Sequence, residues 1–220
     1  MNIDFIKYQH ISFDLWLTLI KSNPEFKQKR NLLFKDFFEI DYSIEKIAEI
    51  VRYYDVLCNA TNEKTGLNID TFEIYLLILN RLKVNISMLT NTKLDLFYEQ
   101  TVLLFMLNKP FLLNADLETF LKIVRSHGIT TNILSNTGFI KGNTLRKLID
   151  DFGLSALFDF QIYSDETKLS KPNSKMFQVV FDEVNLIKTT EKNKILHVGD
   201  NIIADFQGAK NYGFDAHLYY

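Results

Sequence analysis

From Pro110 onward the chain repeats one unit, a short apolar run followed by an amphipathic run that glycine tends to close. "ADLETFLKIVRSHG" sets Leu117, Phe120, Leu121 and Val124 at helical spacing and stops at Gly128, a residue suited to a left-handed helix end. "TTNILSN" then predicts a strand, "NTLRKLIDDFG" a helix, "LFDFQIYSD" a strand and "NSKMFQVVFDEVN" a helix. "KILHVGD" follows as a strand, "ADFQGAKNYG" as a helix and "DAHLYY" as a last strand. Strands separated by helices pair in parallel, and their crossovers cover both faces of the sheet. Ligands of such sheets collect at the carboxyl ends of the strands.

The first half of the chain obeys a different rule. Gly66 is the only glycine before residue 128. Residues 10–20 ("HISFDLWLTLI") read as one apolar strand. After it, "NPEFKQKRNLLFKDFF" opens on Pro24, which suits a helix start. In "SIEKIAEIVRYYDVL", Ser43 can cap a helix carrying Ile44, Ile47, Val51 and Tyr54 on one face. "TFEIYLLILNRL" (71–82) and "TKLDLFYEQTVLLFML" (92–107) are also helical. We therefore expect an α/β protein: a Rossmann-like core of residues 1–22 and 109–220, a parallel sheet flanked by helices. A small all-helical domain of residues 23–108 is inserted after the first strand.

At 220 residues and 47% hydrophobic, the chain can bury one substantial core with such an addition. Its net charge of −2 offers no basic excess for nucleic acid or a membrane surface. The longest apolar stretches, such as "VLLFML" (102–107), are too short to cross a bilayer. "MNIDFIKYQH" has no apolar run of the kind a signal peptide carries, and the lone Cys58 precludes an intrachain disulfide. Cys58 reads as a buried apolar side chain. The expected location is the cytoplasm, and the oligomeric state stays open.

Four of the apolar runs end in polar groups, which a parallel sheet brings to one edge. They are Asp14 and Thr18; Ser135, Asn136 and Thr137; Lys171 in "KLSKPNSKMF"; and Gly199-Asp200 with Asp205. Asp14 and Asp200 can hold a hard cation through oxygen, Mg²⁺ above all. Lys171 would balance the charge of a phosphoryl group, Ser135 would bind its oxygens, and Asp14 could attack it to form an aspartyl phosphate. Asp205 could hold Lys171 or complete the metal shell. His197, inside an apolar strand, reads as a satisfied core histidine; His10, His127 and His217 lack ligand spacing.

With these residues the chain resembles the haloacid dehalogenase superfamily. "FDLWLT" is similar to its first motif, "ILSNT" to its second, "SKPNSKMF" to its third and "HVGDNIIADFQGAKNYG" to its fourth. The helical insertion resembles the mobile cap of the helical-cap branch. The resemblance implies Asp14 as nucleophile, and Thr18 and Ser135 as phosphate-orienting residues, with Asn136 beside them in the substrate site. It implies Lys171 as the charge-balancing lysine. Mg²⁺ would be held by Asp14, Asp200, Asp205 and the backbone carbonyl of Trp16, and the substrate would be a small phosphorylated molecule.

One position departs from the pattern. Phosphatases of this family usually place a second Asp two residues after the nucleophile, where it protonates the leaving oxygen; here Trp16 stands there and Leu17 replaces a glycine. An indole N–H cannot exchange a proton usefully. Trp16 either fills space under the cap or stacks on the substrate. Three functions then follow from the resemblance: a Mg²⁺-dependent phosphatase or phosphotransferase, a nearly inactive homologue that binds a phosphorylated ligand or protein, and a 2-haloacid dehalogenase. The dehalogenases carry an aromatic at the Trp16 position and a cap arginine, for which Arg30 is a loose candidate, but lack the metal-binding Gly-Asp. A related phosphonate hydrolase would need a cap lysine from among Lys27, Lys29 and Lys35.

Overall fold

The computed structural model describes residues 4–219. Five strands form one parallel sheet: β1 (His10–Phe13), β4 (Thr130–Ser135), β5 (Phe160–Tyr163), β6 (Ile195–Gly199) and β7 (Asp215–Leu218), in the order β5-β4-β1-β6-β7. A small antiparallel pair, β2 (Ile20–Lys21) with β3 (Phe111–Leu112), brackets the helical insertion. That insertion holds α1 (Pro24–Phe37), α2 (Ile44–Thr65), α3 (Thr71–Arg81) and α4 (Asn91–Leu107). The core helices are α5 (Leu117–Ser126), α6 (Gly142–Asp151), the single turn α7 (Ser164–Thr167), α8 (Ser174–Ile187) and α9 (Gly208–Tyr212). Among the described residues no helix is long and apolar enough to cross a membrane.

Strand alternation sorts the core into two layers. Ile11, Phe13, Ile133, Leu196 and Val198 point toward α5 and α6, packing on Leu121, Val124, Leu145 and Leu148. Leu134, Ile162 and Ile195 point the other way, onto Met176, Phe177 and Val180 of α8. The helical insertion has its own apolar cluster around Phe34, Ile47, Val51, Tyr75, Ile78 and Phe97. Cys58 is buried there, and burial pushes its thiol pKa up. A short seam fastens the insertion to the core: Ser170 N–H donates to Gly66 O at 3.1 Å, and Asn68 N–H to Lys168 O at 3.1 Å. Gly66 caps α2 at φ 70°, and the Asn173 side chain donates to its carbonyl at 3.0 Å.

Two expectations change. The strand expected over 10–20 ends at Phe13, because the chain turns back on itself: Leu19 and Ile20 N–H both donate to Leu15 O, and Leu17 has φ 61°. The helix expected from "ADFQGAKNYG" begins instead as a π-helical turn, Ile202–Gln207, that leads into α9. Asp205 lies inside that wider turn, at a place where π-geometry often marks function.

The α8 face of the central strands also carries buried polar groups. His10 is fully buried, its Nδ1 2.7 Å from Thr130 Oγ1 and its Nε2 2.8 Å from Asn132 Oδ1. Burial pushes its pKa from 6.5 down to about 4. The unfolded chain therefore takes up the proton first as pH falls, so stability is full above the unfolded value and is lost on the way down to the folded one. From about pH 7 to about pH 4.5 the protein should lose about 2 kcal/mol that His10→Gln does not lose. Urea unfolding of both proteins across that range checks this, and identical profiles would refute it.

Candidate active site

Asp14 is the first residue past β1, and its N–H donates to Val198 O at 2.8 Å, which pins it against β6. Lys171 comes from the loop before α8 and is fully buried. Its Nζ donates to Asp14 Oδ1 at 2.8 Å, to Asp205 Oδ1 at 2.6 Å and to Leu134 O at 2.7 Å. The three donors of an ammonium are thus all used. Asn136 locks this loop from the end of β4: its Oδ1 accepts from Lys171 N–H at 2.8 Å and its Nδ2 donates to Lys171 O at 3.0 Å.

Asp205 is committed on both oxygens. Oδ1 meets Lys171 and, at 3.1 Å, His197 Nε2, while Oδ2 accepts from Asn201 N–H at 3.0 Å. His197 Nδ1 lies 3.1 Å from Ser12 Oγ, so a buried polar chain runs Ser12–His197–Asp205–Lys171–Asp14. Gly199 allows it, since a Cβ there would overlap the Asp205 carboxylate. Thr18 Oγ1 donates to Asp14 Oδ2 at 3.1 Å. Asp200, half-buried, stands beside them, and Asp14, Asp200 and Asp205 each offer an oxygen within 4.8 Å of the others.

The charges do not balance. Burial and the adjacent Asp205 push Asp200 upward, and burial pushes Asp14 up to about 7 despite Lys171. Burial opposes ionisation of Asp205 too, but Lys171 and His197 outweigh it and hold the carboxyl well below its usual range. Burial lowers the His197 pKa against the pull of Asp205, while the two carboxylates beside Lys171 outweigh its burial and raise its pKa. Three carboxylates therefore share one ammonium. The set is all oxygen, clustered and short of positive charge, which suits a hard divalent cation such as Mg²⁺.

A cavity of about 470 Å³ opens over the cluster. Asp14, Trp16, Asn136, Lys171, Asp200 and Asp205 line it, with Phe26, Lys27, Arg30, Asp55 and Glu63 from the helical insertion. Trp16 is half-buried, its ring centroid 6.4 Å from that of Phe105. Ser135 sits differently from the sequence expectation. It is fully buried, donates to Asn136 O at 3.1 Å and does not line the cavity. Thr137 Oγ1 turns away to Ser164 and Asp165. Of the insertion's lysines only Lys27 reaches the cavity; Lys29 bonds Glu25 and Asn108, and Lys35 bonds Tyr42 O. Ser12, Asn201 and the tie from His197 to Asp205 were not singled out from the sequence; each depends on contacts across the sheet or on backbone geometry.

A five-stranded parallel sheet with clustered carboxylates and a buried lysine at its carboxyl edge defines a Rossmann-like α/β core with a candidate catalytic site. The chain belongs to the haloacid dehalogenase-like hydrolases, whose family model matches residues 8–213. Solved structures agree on the fold. The protein YfnB of Bacillus subtilis, bound to magnesium, aligns with TM-score 0.69 at 18% identity over 95% of this chain and 87% of that one. A 2-haloacid dehalogenase of Pseudomonas syringae aligns with TM-score 0.66 at 15% identity over 96% and 86%. A predicted phosphoglycolate phosphatase of Haemophilus somnus aligns with TM-score 0.64 at 16% identity over 96% and 84%. No curated protein matches at a significant level.

Proposed function

We propose that this protein is a Mg²⁺-dependent phosphohydrolase or phosphotransferase that works through an aspartyl phosphate on Asp14. The observation that carries the reading is the third carboxylate, Asp200, placed with Asp14 and Asp205 within 4.8 Å. A displacement on an uncharged carbon has no use for a metal cluster, whereas a phosphoryl dianion does. Mg²⁺ would sit on carboxylate oxygens of Asp14 and Asp200 and the Trp16 carbonyl, with Asp205 completing the acidic set, and would neutralise phosphoryl charge.

The remaining chemistry falls to the chain's own groups. One Asp14 oxygen attacks phosphorus and the bond to the leaving oxygen breaks, the electron pair departing on that oxygen. Lys171 holds the other Asp14 oxygen in place and offsets negative charge. Thr18 fixes the Asp14 rotamer. Water, or an acceptor alcohol, then attacks the phosphorus and frees Asp14. With Trp16 where an acid would stand, the leaving group must depart without a proton from that position, which favours acyl and aryl phosphates over alkyl ones. A second reading, a binding protein with little turnover, draws on the same tryptophan.

Phosphate release from acetyl phosphate, an aryl phosphate and an alkyl phosphate, alongside halide release from a 2-halocarboxylate, tests this. We expect phosphate from the first two, abolished by chelator and restored by Mg²⁺. Halide release indifferent to chelator would overturn the proposal. Mg²⁺ binding without turnover of any substrate would support the binding-protein reading instead.

A further inference from the structure

The last helix of the insertion, α4, is apolar on more than the side it buries. Leu94, Phe97, Thr101 and Phe105 are buried, yet Leu103 is 66% exposed and Leu107 82%. A helix that is apolar all round is normally covered. Beside it, Leu32 of α1 is 46% exposed. The two helices run antiparallel: Phe26 meets Phe105 and Phe34 meets Phe97, at 5.2 and 4.6 Å between ring centroids. Between their outer faces lies a groove of about 420 Å³, floored by Leu32, Leu33, Leu103, Leu104 and Leu107. None of these leucines lines the cavity over Asp14, which α1 borders with Phe26, Lys27 and Arg30. Exposed leucines gathered in one groove mark an interaction surface, unlike single scattered ones. Charge enters the groove only through Lys29 and Asp36, both exposed, two turns or about 10 Å apart along α1. Lys29 Nζ donates to Glu25 at 3.1 Å and to Asn108 at 2.6 Å, which uses two of its three donors.

We propose that this face is where two copies of the chain meet, α1 and α4 of each packing into one antiparallel four-helix bundle. The charges select this occupant. They have opposite signs and flank the Leu32–Leu33 pair symmetrically, three residues away on either side. A two-fold axis lying across the helices sets α1 against α1 of the second copy, running the other way, and α4 against α4 likewise. Lys29 then stands over Asp36 of the second copy and Asp36 over its Lys29, so the face complements itself. A two-fold axis along the helices would set α1 on α4 and leave both charges over leucines. With the first axis every helix is antiparallel to its neighbours, and the two grooves close on a shared interior of leucine. The cavity over Asp14 keeps its lining, so the pairing stands apart from the phosphoryl reading.

Sedimentation velocity of the full chain from about 5 to about 100 μM tests this, since self-association depends on protomer concentration. The wild-type protein should sediment as a dimer. Leu103→Glu, at a position exposed in the single chain, should raise the dissociation constant about thirtyfold or more with unchanged circular dichroism. Leu107→Glu should act in the same direction. Lys29→Glu and Asp36→Lys should each weaken self-association, and an equimolar mixture of the two should restore it, because each new charge then meets its opposite. A wild-type protein still monomeric at about 100 μM overturns the proposal. So does a dimer indifferent to both leucine variants, which would use another face. A mixture that associates no better than the two charge variants apart overturns the pairing of Lys29 with Asp36, and the two-fold arrangement with it.

Discussion

Replacing Asp14 with asparagine should lower phosphate release on the order of 10³-fold or more while leaving the protein folded. The amide has no carboxylate oxygen with which to attack phosphorus, so the covalent step is lost. Stability should change far less. Asp14 is buried and held up near about 7, so folding already works against its charge. Asparagine keeps one oxygen, which can face the Lys171 ammonium, and turns its amide N–H to the Thr18 hydroxyl, which can accept as well as donate; Lys171 also retains Asp205 at 2.6 Å. The check is a pair of readings on one sample: initial rate with acetyl phosphate and thermal midpoint. A variant with wild-type rate would remove Asp14 from the chemistry. A variant that unfolds would say that the carboxylate serves the fold first.

The second large effect runs in the other direction. Trp16→Asp should raise turnover of alkyl phosphates by about 10²–10⁴-fold and barely alter acyl phosphates, whose leaving groups need no proton. Trp16 lines the cavity that holds Asp14, so a carboxyl in its place faces the reacting groups. The half-buried indole also packs on the core beside Phe105, so the variant should lose some stability, which the thermal midpoint reads separately from rate. Trp16→Leu, which removes the ring and supplies no proton, should leave the substrate preference unchanged. If Trp16→Asp gives no gain while Mg²⁺ still binds, the missing acid is not what limits turnover.

Much of this molecule was legible because much of it is periodic. Alternating strands and helices after Pro110 predict a parallel sheet, and that sheet brings Asp14, Lys171, Asp200 and Asp205 to one edge. Periodicity fails where the backbone leaves its regular paths. "HISFDLWLTLI" looks like a strand throughout because it is mostly apolar, yet after Phe13 it is a turn that leaves Leu17 exposed. Ser135 shows the same limit on a finer scale: it ends its strand as expected, but its hydroxyl is spent on a neighbouring carbonyl. His197 reads correctly as a core residue, and only the fold reveals that it orients Asp205. From the sequence Arg30 is only a loose candidate for a cap arginine; the rings beside it, Phe26 on α1 and Phe139 more than a hundred positions away, come together only in the fold.

The seam at Gly66 has a mechanical meaning. Its carbonyl is tied to Ser170, the residue directly before Lys171, and to Asn173, two residues beyond it. The roof of the cavity and the ammonium at its floor therefore share one anchor. A helical layer fixed this way lifts at this seam only by breaking hydrogen bonds to residues that flank the lysine.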